Sequence, residues 1–438
     1  MGRFTKYQSY KDSGVEWIGK IPLDWNLSKI KYQTFINRYS LGESTAEDYE
    51  IEYIDISSVD QNGNILNTEK LPFDKAPSRA RRIVKDGDTI VSTVRTYLKA
   101  IASIRDAPEN LICSTGFAVL SPKHTIDPIY LSYLMRSTRY VDEIVKRSTG
   151  VSYPATTATE IGSLECILPD LETQKSIGIF LDDKTFEIDS LIADKEKLIV
   201  LLEEKRQVKI IELITKGLNP NVKMKDSSVG WIDRIPEHWE EKKIKYLFYE
   251  VNERNFEEDA ELLSLFTSIG VRPRSEMEDR GNKAQTVINY KQVKKGDIVV
   301  NKLLAWMGAI GISNYDGVTS PDYDVYRPIN EKLISNKYYH YYFRSHYFKG
   351  DCYKFGRGIM MMRWRTYPEQ FKSIPVPVPP IEEQIEIANY IDEKTKDIDL
   401  LITETESAIS KLKEYRQALI YEAVTGKIDV REYKKVVS

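Results

Sequence analysis

The side chains of this chain best able to act on a ligand are lysines and arginines gathered in two runs. Between residues 75 and 105 eight cations, Lys75, Arg79, Arg81, Arg82, Lys85, Arg95, Lys99 and Arg105, face only Asp86 and Asp88. Between 337 and 372 eight Lys/Arg again face two acids, and this run also carries Tyr338, Tyr339, Tyr341, Tyr342, Phe343, Tyr347, Phe348, Tyr353, Phe355 and Trp364 beside a Gly356-Arg357-Gly358 turn. Cations mixed with polar aromatics can anchor phosphates and read base edges. The candidate DNA-contacting residues are therefore Arg79, Arg81, Arg82, Arg95, Lys99 and Tyr153 in the first half, and Lys302, Lys354, Arg357, Arg363, Trp364 and Arg365 in the second. For the tyrosines of 338–348 the competing reading is an amphipathic core. Arg357, Arg363 and Arg365 are harder to assign to a core, their competing reading being ion pairs with acids on the domain surface.

Catalytic motifs are missing. No G-x-G-x-x-G follows a strand; Gly426-Lys427 lacks the upstream glycine and following Ser/Thr of a phosphate loop; Pro379-Pro380 has neither the preceding Asn/Asp nor the following aromatic of an amino-methyltransferase site. Pro169-Asp170 with Asp182-Asp183-Lys184 imitates a metal-dependent nuclease. Its second part, however, falls in an amphipathic helical run, and the repeat described below replaces Asp170 with Pro380. Cys113, Cys166 and Cys352, with four histidines, form neither a disulfide framework nor a zinc pattern. The chain is expected to be non-catalytic, with no metal or cofactor of its own.

The elements that position these residues are written twice. Lys11-Asp12-Ser13, Trp17-Ile18, Ile21-Pro22, Trp25 and Lys31-Tyr32 return 214 positions later as Lys225-Asp226-Ser227, Trp231-Ile232, Ile235-Pro236, Trp239 and Lys245-Tyr246. Pro169, Gln174, Asp182, Lys184-Thr185, Ile188-Asp189 and Arg206-Gln207 return 210 positions later as Pro379, Gln384, Asp392, Lys394-Thr395, Ile398-Asp399 and Arg416-Gln417. Repeats of this length are domains rather than solenoid units of roughly 20 to 50 residues, so an internal pseudo-two-fold is expected. With 41% hydrophobic residues, packed cores are available. No stretch of 18 residues is both apolar and uncharged, and residues 1–6 lack a signal core, so a cytosolic protein is expected.

Within each copy a variable region precedes a helical one. In the first, 51–56, 89–94 and 117–120 are rich in β-formers and 128–146 has helical spacing. From 171 to about 215, apolar residues recur every three or four positions until Gly217 and Pro220; the second copy repeats this from 381 to Gly426. The seam is assigned to Gln174, Ile188, Leu191, Leu198 and Leu202 with Gln384, Ile398, Leu401, Ile409 and Leu412. A coiled coil between chains would also satisfy this periodicity, but the repeat favours antiparallel pairing within one chain. Residues 184–216 would then form a rod ~50 Å long, comparable with the ~34 Å between DNA half-sites one turn apart. Charge agrees. Residues 182–212 carry −3 and 382–414 carry −6, so of the chain's total of −3 the remainder holds +6.

The paired W-I-x-x-I-P-x-x-W openings and paired Pro…Gln…Ile-Asp…Arg-Gln helices resemble the specificity subunit of type I restriction-modification systems, over essentially the whole chain and in the family's order. The resemblance implies an α+β fold: two similar mixed α/β target recognition domains, related by an internal pseudo-two-fold and separated by two long antiparallel helices forming an intramolecular coiled coil. The domains would be 1–170 and 218–380, with helical spacers 171–217 and 381–430. It further implies that each domain reads half of a bipartite double-stranded DNA site, and that the helices set the gap and dock methylation subunits in two copies, with restriction subunits joining. AdoMet, ATP and Mg²⁺ would belong to those partners. The competing classes are a stand-alone DNA-modifying or cleaving enzyme and a coiled-coil scaffold that binds no DNA.

Overall fold

The computed structural model describes residues 4–150, 154–267, 269–276, 286–358 and 364–433. It divides into two units: one takes the residues up to Lys195 together with those from Ser407 onward, the other is the continuous stretch Glu196–Glu406. The long helices Leu171–Lys216 and Ile381–Val424 are each shared between the units. Among the described residues no helix is long and apolar enough to cross a membrane.

Each unit is built on an antiparallel four-stranded sheet of the same order. In the first it runs Thr34–Ile36, Phe117–Pro122, Thr89–Ser92, Ile101–Ser103; in the second Phe248–Val251, Tyr323–Pro328, Ile298–Asn301, Ile310–Ile312. The strands Thr89–Ser92 and Ile298–Asn301 are buried at every residue, which explains why they read as apolar runs rather than alternating ones. The units then diverge. The first adds a sheet ordered Glu69–Pro72, Glu50–Ile54, Leu111–Ser114, Ala80–Ile83, with one parallel pair; the second has two separate strand pairs, Leu263–Phe266 with Gly270–Pro273 and Lys291–Val293 with Gly317–Thr319.

The span 128–146 is two helices, not one. Ser137 sits between Pro128–Arg136 and Thr138–Lys146 with extended backbone (φ −66°, ψ 143°), and its hydroxyl donates to the Leu134 carbonyl (2.8 Å). Ser345 breaks Asn336–Arg344 from His346–Phe355 in the same way and caps the Phe348 N–H. Serine competes for backbone hydrogen bonds and so ends helices that apolar spacing alone would continue. Tyr338, Tyr339, Tyr342, Phe343 and Phe348 are buried, forming one core with Trp239 and Phe371; most of the aromatic run is therefore packing. Trp25 and Trp239 of the repeated openings are fully buried too.

The helix motif repeated at 210-residue spacing closes on itself reciprocally. In the first unit Arg416 grips Asp189 through two hydrogen bonds (2.9 and 3.1 Å), and Tyr433 reaches Asp183. In the second Arg206 pairs with Asp399 (3.0 Å), and Glu383 lies against Gly217. Rising numbers on one helix meet falling numbers on the other, so the helices pack antiparallel within each unit. Ile188 and Ile409 are buried in the seam, and Leu202, Ile398 and Leu412 half-buried. Leu191, Leu198 and Leu401 are exposed: in the doublets Leu191-Ile192, Leu198-Ile199 and Leu401-Ile402 the second residue turns inward and the first, about 100° away, faces outward. Gln174 is internal. Its amide accepts from the Asp127 N–H (2.8 Å) and donates to the Pro169 carbonyl (2.8 Å), and Gln384 does the same with the Ser335 N–H (2.8 Å) and the Pro379 carbonyl (2.8 Å).

Asp170 is the N-cap of the central helix, accepting from the N–H groups of Glu172 and Thr173. Asp182, ~18 Å farther along the helix, is held by Arg105 (2.9 Å) and Tyr133 (2.8 Å). The nuclease-like spacing is thus a cap and a surface ion pair.

Candidate nucleic-acid interface

In the first unit the strand Thr89–Ser92 leads into a loop whose single turn, Thr96–Leu98, is bracketed by Arg95 (φ 50°, ψ 46°) and Lys99 (φ 56°, ψ 31°). A left-handed backbone costs an L-residue roughly 1–2 kcal/mol, and two such residues in five positions need a rigid surround. A hairpin supplies it. The Arg95 N–H donates to the Pro154 carbonyl (2.8 Å), the Thr156 N–H to the Thr93 carbonyl (2.7 Å), and Thr149 and Ala155 bond each other (2.8 and 2.9 Å). The loop presents Arg95, Tyr97, Leu98 and Lys99 to solvent. Arg79 is exposed beside it, since its carbonyl accepts from Thr115 while Thr93 donates to the adjoining Gly116. Arg81 lies on the Phe73 ring (4.4 Å). Arg82, its strand neighbour and so on the opposite face, is half-buried opposite Cys113, its Nε without a partner among the described residues.

The second unit repeats the construction. After Ile298–Asn301 comes the single turn Ala305–Met307, closed by Gly308 (φ 91°) in the place of Lys99. Arg357 and Arg365 face each other across the hairpin through two backbone hydrogen bonds (2.8 and 2.9 Å), and the Thr366 N–H ties it to the Lys302 carbonyl (3.0 Å). Trp364 stacks on Tyr353 (4.9 Å) and donates to its carbonyl (3.0 Å). Arg357, Arg365 and Lys354 are exposed. Lys302 is engaged internally: its ammonium meets the Pro321 carbonyl (3.1 Å) and Asp324 (3.6 Å). Asp324, 1% exposed, is shared with Lys291 (2.8 Å); burial pushes its carboxyl above the usual range against the opposing pull of the two lysines. Tyr153 and Arg363 lie outside the described residues.

The structure thus gathers Arg79, Arg95 and Lys99 on one loop-and-hairpin end and Lys354, Arg357, Trp364 and Arg365 on the equivalent end of the other unit, while turning Arg82 and Lys302 inward. Sequence reasoning passed over the exposed Tyr97, Leu98, Leu304 and Met307 of the two loops, because an apolar residue after a buried strand looks like more strand. Only alignment of the two copies through the buried strands reveals them. No three His, Cys, Asp or Glu side chains gather as a metal site among the described residues. Burial pushes the Cys166 thiol up to about 12 and those of Cys113 and Cys352 upward as well, so none of the three supplies a thiolate near neutral pH.

The comparisons with known proteins agree with this duplicated architecture. A family model described as the type I restriction modification DNA specificity domain matches two segments, 26–199 and 236–410. The chain is 26% identical over 458 residues to the putative type I restriction enzyme MjaX specificity subunit of Methanocaldococcus jannaschii, covering 98% of this chain and 99% of the relative. It is 27% identical over 344 residues to the MjaVIII specificity subunit of the same organism, covering 73% and 75%. Among solved structures it resembles a chain reported under complex assembly and conformational transition of the type I R-M system, with TM-score 0.74 and 21% identity, covering 93% of this chain and 99% of that one. It also resembles the HsdS subunit from Thermoanaerobacter tengcongensis, with TM-score 0.53 and 21% identity, covering 93% and 98%.

Proposed function

Because this chain belongs to the type I restriction-modification DNA specificity family, both of whose copies are matched, we propose that it is the non-catalytic DNA-recognition subunit of a restriction-modification complex. Each unit reads one half of a bipartite duplex site through its loop-and-hairpin end. The paired helices fix the gap and dock two methylation subunits, restriction subunits join the complex, and AdoMet, ATP and Mg²⁺ bind those partners in the cytoplasm. The observation that carries this reading is a single construction built twice with different tips: Arg95, Tyr97, Leu98 and Lys99 in one unit, Leu304, Trp306, Met307 and Gly308 in the other. Different side chains on one scaffold read different bases. Methylome sequencing of a host with and without the chain, with mobility shifts of the assembled complex, tests it; absence of any chain-dependent methylated motif would refute it.

Two residue-level outcomes follow from the site. Lys99→Gly installs the residue that closes the matching loop of the second unit, so folding stability is expected to hold or rise by up to ~1 kcal/mol. Duplex affinity should fall, and the salt dependence of binding should weaken by about one unit. Thermal melts and salt-titrated mobility shifts check both; an unchanged salt slope removes Lys99 from the interface. Arg357→Ala and Arg365→Ala should each cost ~1–3 kcal/mol if the guanidinium reads a base, relaxing one position of one half-site, and should weaken all sequences alike if it holds phosphate. Full affinity with an unaltered motif in the double variant would show that these arginines serve only the surface.

A further inference from the structure

A row of cations stacked on aromatic rings runs along one side of the first unit. Lys123 stands 5.0 Å from the Phe35 ring, Arg38 lies over Phe35 at 4.4 Å and Tyr39 at 5.1 Å, and Lys85 sits over Tyr39 at 4.4 Å. Lys31 over Tyr32 (5.2 Å) extends it, joined through the Lys123 ammonium, which donates to the Tyr32 carbonyl (3.0 Å). The rings remain in solvent, with Tyr32 61%, Phe35 42% and Tyr39 36% exposed. Asn37 takes a left-handed turn (φ 53°) that places Phe35 and Tyr39 on either side of Arg38, and its side chain is fixed by the Val119 N–H (2.9 Å). Among the described residues no carboxylate stands within ion-pair distance of Lys31, Arg38, Lys85 or Lys123.

The second unit is an internal control. At the spacing that aligns Lys31-Tyr32 with Lys245-Tyr246, Arg38 and Tyr39 become Asn252 and Glu253. The matching bridges Ser40 to Arg82 and Arg254 to Lys291 confirm that register. Lys245 over Tyr246 (4.9 Å) repeats the Lys31 pair and Lys294 stands in the place of Lys85, but the additional cation there, Arg327, is held by Asp297 (2.8 Å) and Glu253 (3.5 Å). The centre of that face, where Arg38 and Tyr39 stand in the first unit, is therefore neutralised by its own carboxylates in the second unit and cationic in the first.

A guanidinium held against aromatic rings keeps N–H donors for other partners, and its planar fork matches phosphate oxygens. The row is also separate from the loop-and-hairpin end. Along the strand Phe117–Pro122, Ser92 pairs with Phe117 while Phe35 pairs with Ser121, four residues or ~13 Å away.

We propose that this row is a sequence-independent rail for the phosphate backbone of duplex DNA adjoining the half-site read by the first unit, a contact that the second unit does not make. It rests on the DNA-recognition reading above. An acidic protein surface is the other occupant with complementary charge, but four cations whose nearest carboxylate is that of the buried Asp88, bonded to the Lys85 backbone N–H (2.8 Å), on a protein that must hold DNA, favour phosphate.

The test uses the full chain assembled with its methylation subunits and a duplex carrying the methylated motif. Arg38→Asn with Tyr39→Glu imports what the second unit already tolerates at these positions; Lys85→Ala with Lys123→Ala removes the flanking cations. The lysine pair is expected to lower the salt slope by about two units, each lost phosphate contact being worth about 0.9, and the Arg38→Asn, Tyr39→Glu pair, which removes one cation and sets a carboxylate beside Lys85, by about one to two; both should leave the methylated motif unchanged. Phosphate-ethylation interference should lose a block beside the first half-site and keep that at the second. A wild-type slope and footprint in both variants would overturn the rail. So would weakened retention of the methylation subunits with unaltered DNA binding, which would assign the face to protein. Wild-type complex that binds no duplex would instead fail the DNA-recognition reading itself.

Discussion

Exchanging most of the first unit's variable region for that of another type I specificity subunit should change one half of the methylated motif completely and leave the other half untouched. The structure places the cuts. Asn26–Lys29 pairs with Glu165–Leu168, so a graft of 35–164 keeps that pair, the buried Trp25 and the Gln174 hydrogen bond to the Pro169 carbonyl, while replacing the Arg95–Lys99 loop, the hairpin arm at Thr149 and the Asp127 N–H that Gln174 accepts from. The graft must also supply the Tyr130 hydroxyl that donates to the Ile167 carbonyl (2.9 Å), because a buried carbonyl left unpaired costs ~1–3 kcal/mol. Methylome sequencing reads the outcome directly. A change in both halves would mean that the units do not read independently, and an unchanged motif would place recognition outside the grafted region.

Four residues inserted into the helix Leu171–Lys216 near Lys195 should give a motif with unaltered half-sites and a gap longer by one or two base pairs. Four residues add ~1.1 turns and ~6 Å, against ~3.4 Å per base pair. Staying close to whole turns keeps the doublets Leu191-Ile192 and Leu198-Ile199 near their seam orientation. Two residues would instead rotate everything downstream by about 200°, setting Leu198 and Ile199 at the outward orientations now held by Val200 and Leu201, bringing Lys197 to the seam and separating Arg206 from Asp399. Activity is therefore expected to survive the four-residue insertion and to be lost with the two-residue one. An active four-residue variant with its original gap would show that spacing is fixed elsewhere.

The repeat made much of this architecture legible. Ile188-Asp189 and Arg206-Gln207, with their copies at Ile398-Asp399 and Arg416-Gln417, contain both reciprocal ion pairs; only an antiparallel arrangement lets each arginine meet the aspartate of the other copy. Leu191, Leu198 and Leu401 were read as seam residues because a Leu-Ile doublet does not reveal which member faces the partner. The site was harder. Arg82 and Lys302 carry the right chemistry but point inward, Lys302 because Asp324 emerges on the neighbouring strand. The left-handed Arg95 and Lys99 give no local sign, since propensity predicts glycine at such positions and only the Gly308 loop shows what the strain replaces. The cation row was invisible for another reason. Phe35, Arg38 and Tyr39 are near one another in sequence, but Lys85 and Lys123 join them only through sheet pairing.

The first unit depends on residues from Ser407 onward. Asp429 donates to the Thr5 carbonyl (2.8 Å), Tyr10 to that of Gly426 (3.0 Å), and Phe180 packs between Phe4 and Tyr433 at 5.3 and 5.0 Å. During translation the region synthesised first is consequently among the last to be completed. The continuous unit Glu196–Glu406 can close as soon as it leaves the ribosome, while the other waits across some four hundred residues for the strap that covers Trp25 and Phe180. Pairings so distant in sequence are slow to form, and the surface left open meanwhile is the most exposed to misassembly. A stop codon shortly after residue 406 would therefore spare the second unit and leave the first, though fully synthesised up to its helix, without the wall of its own core.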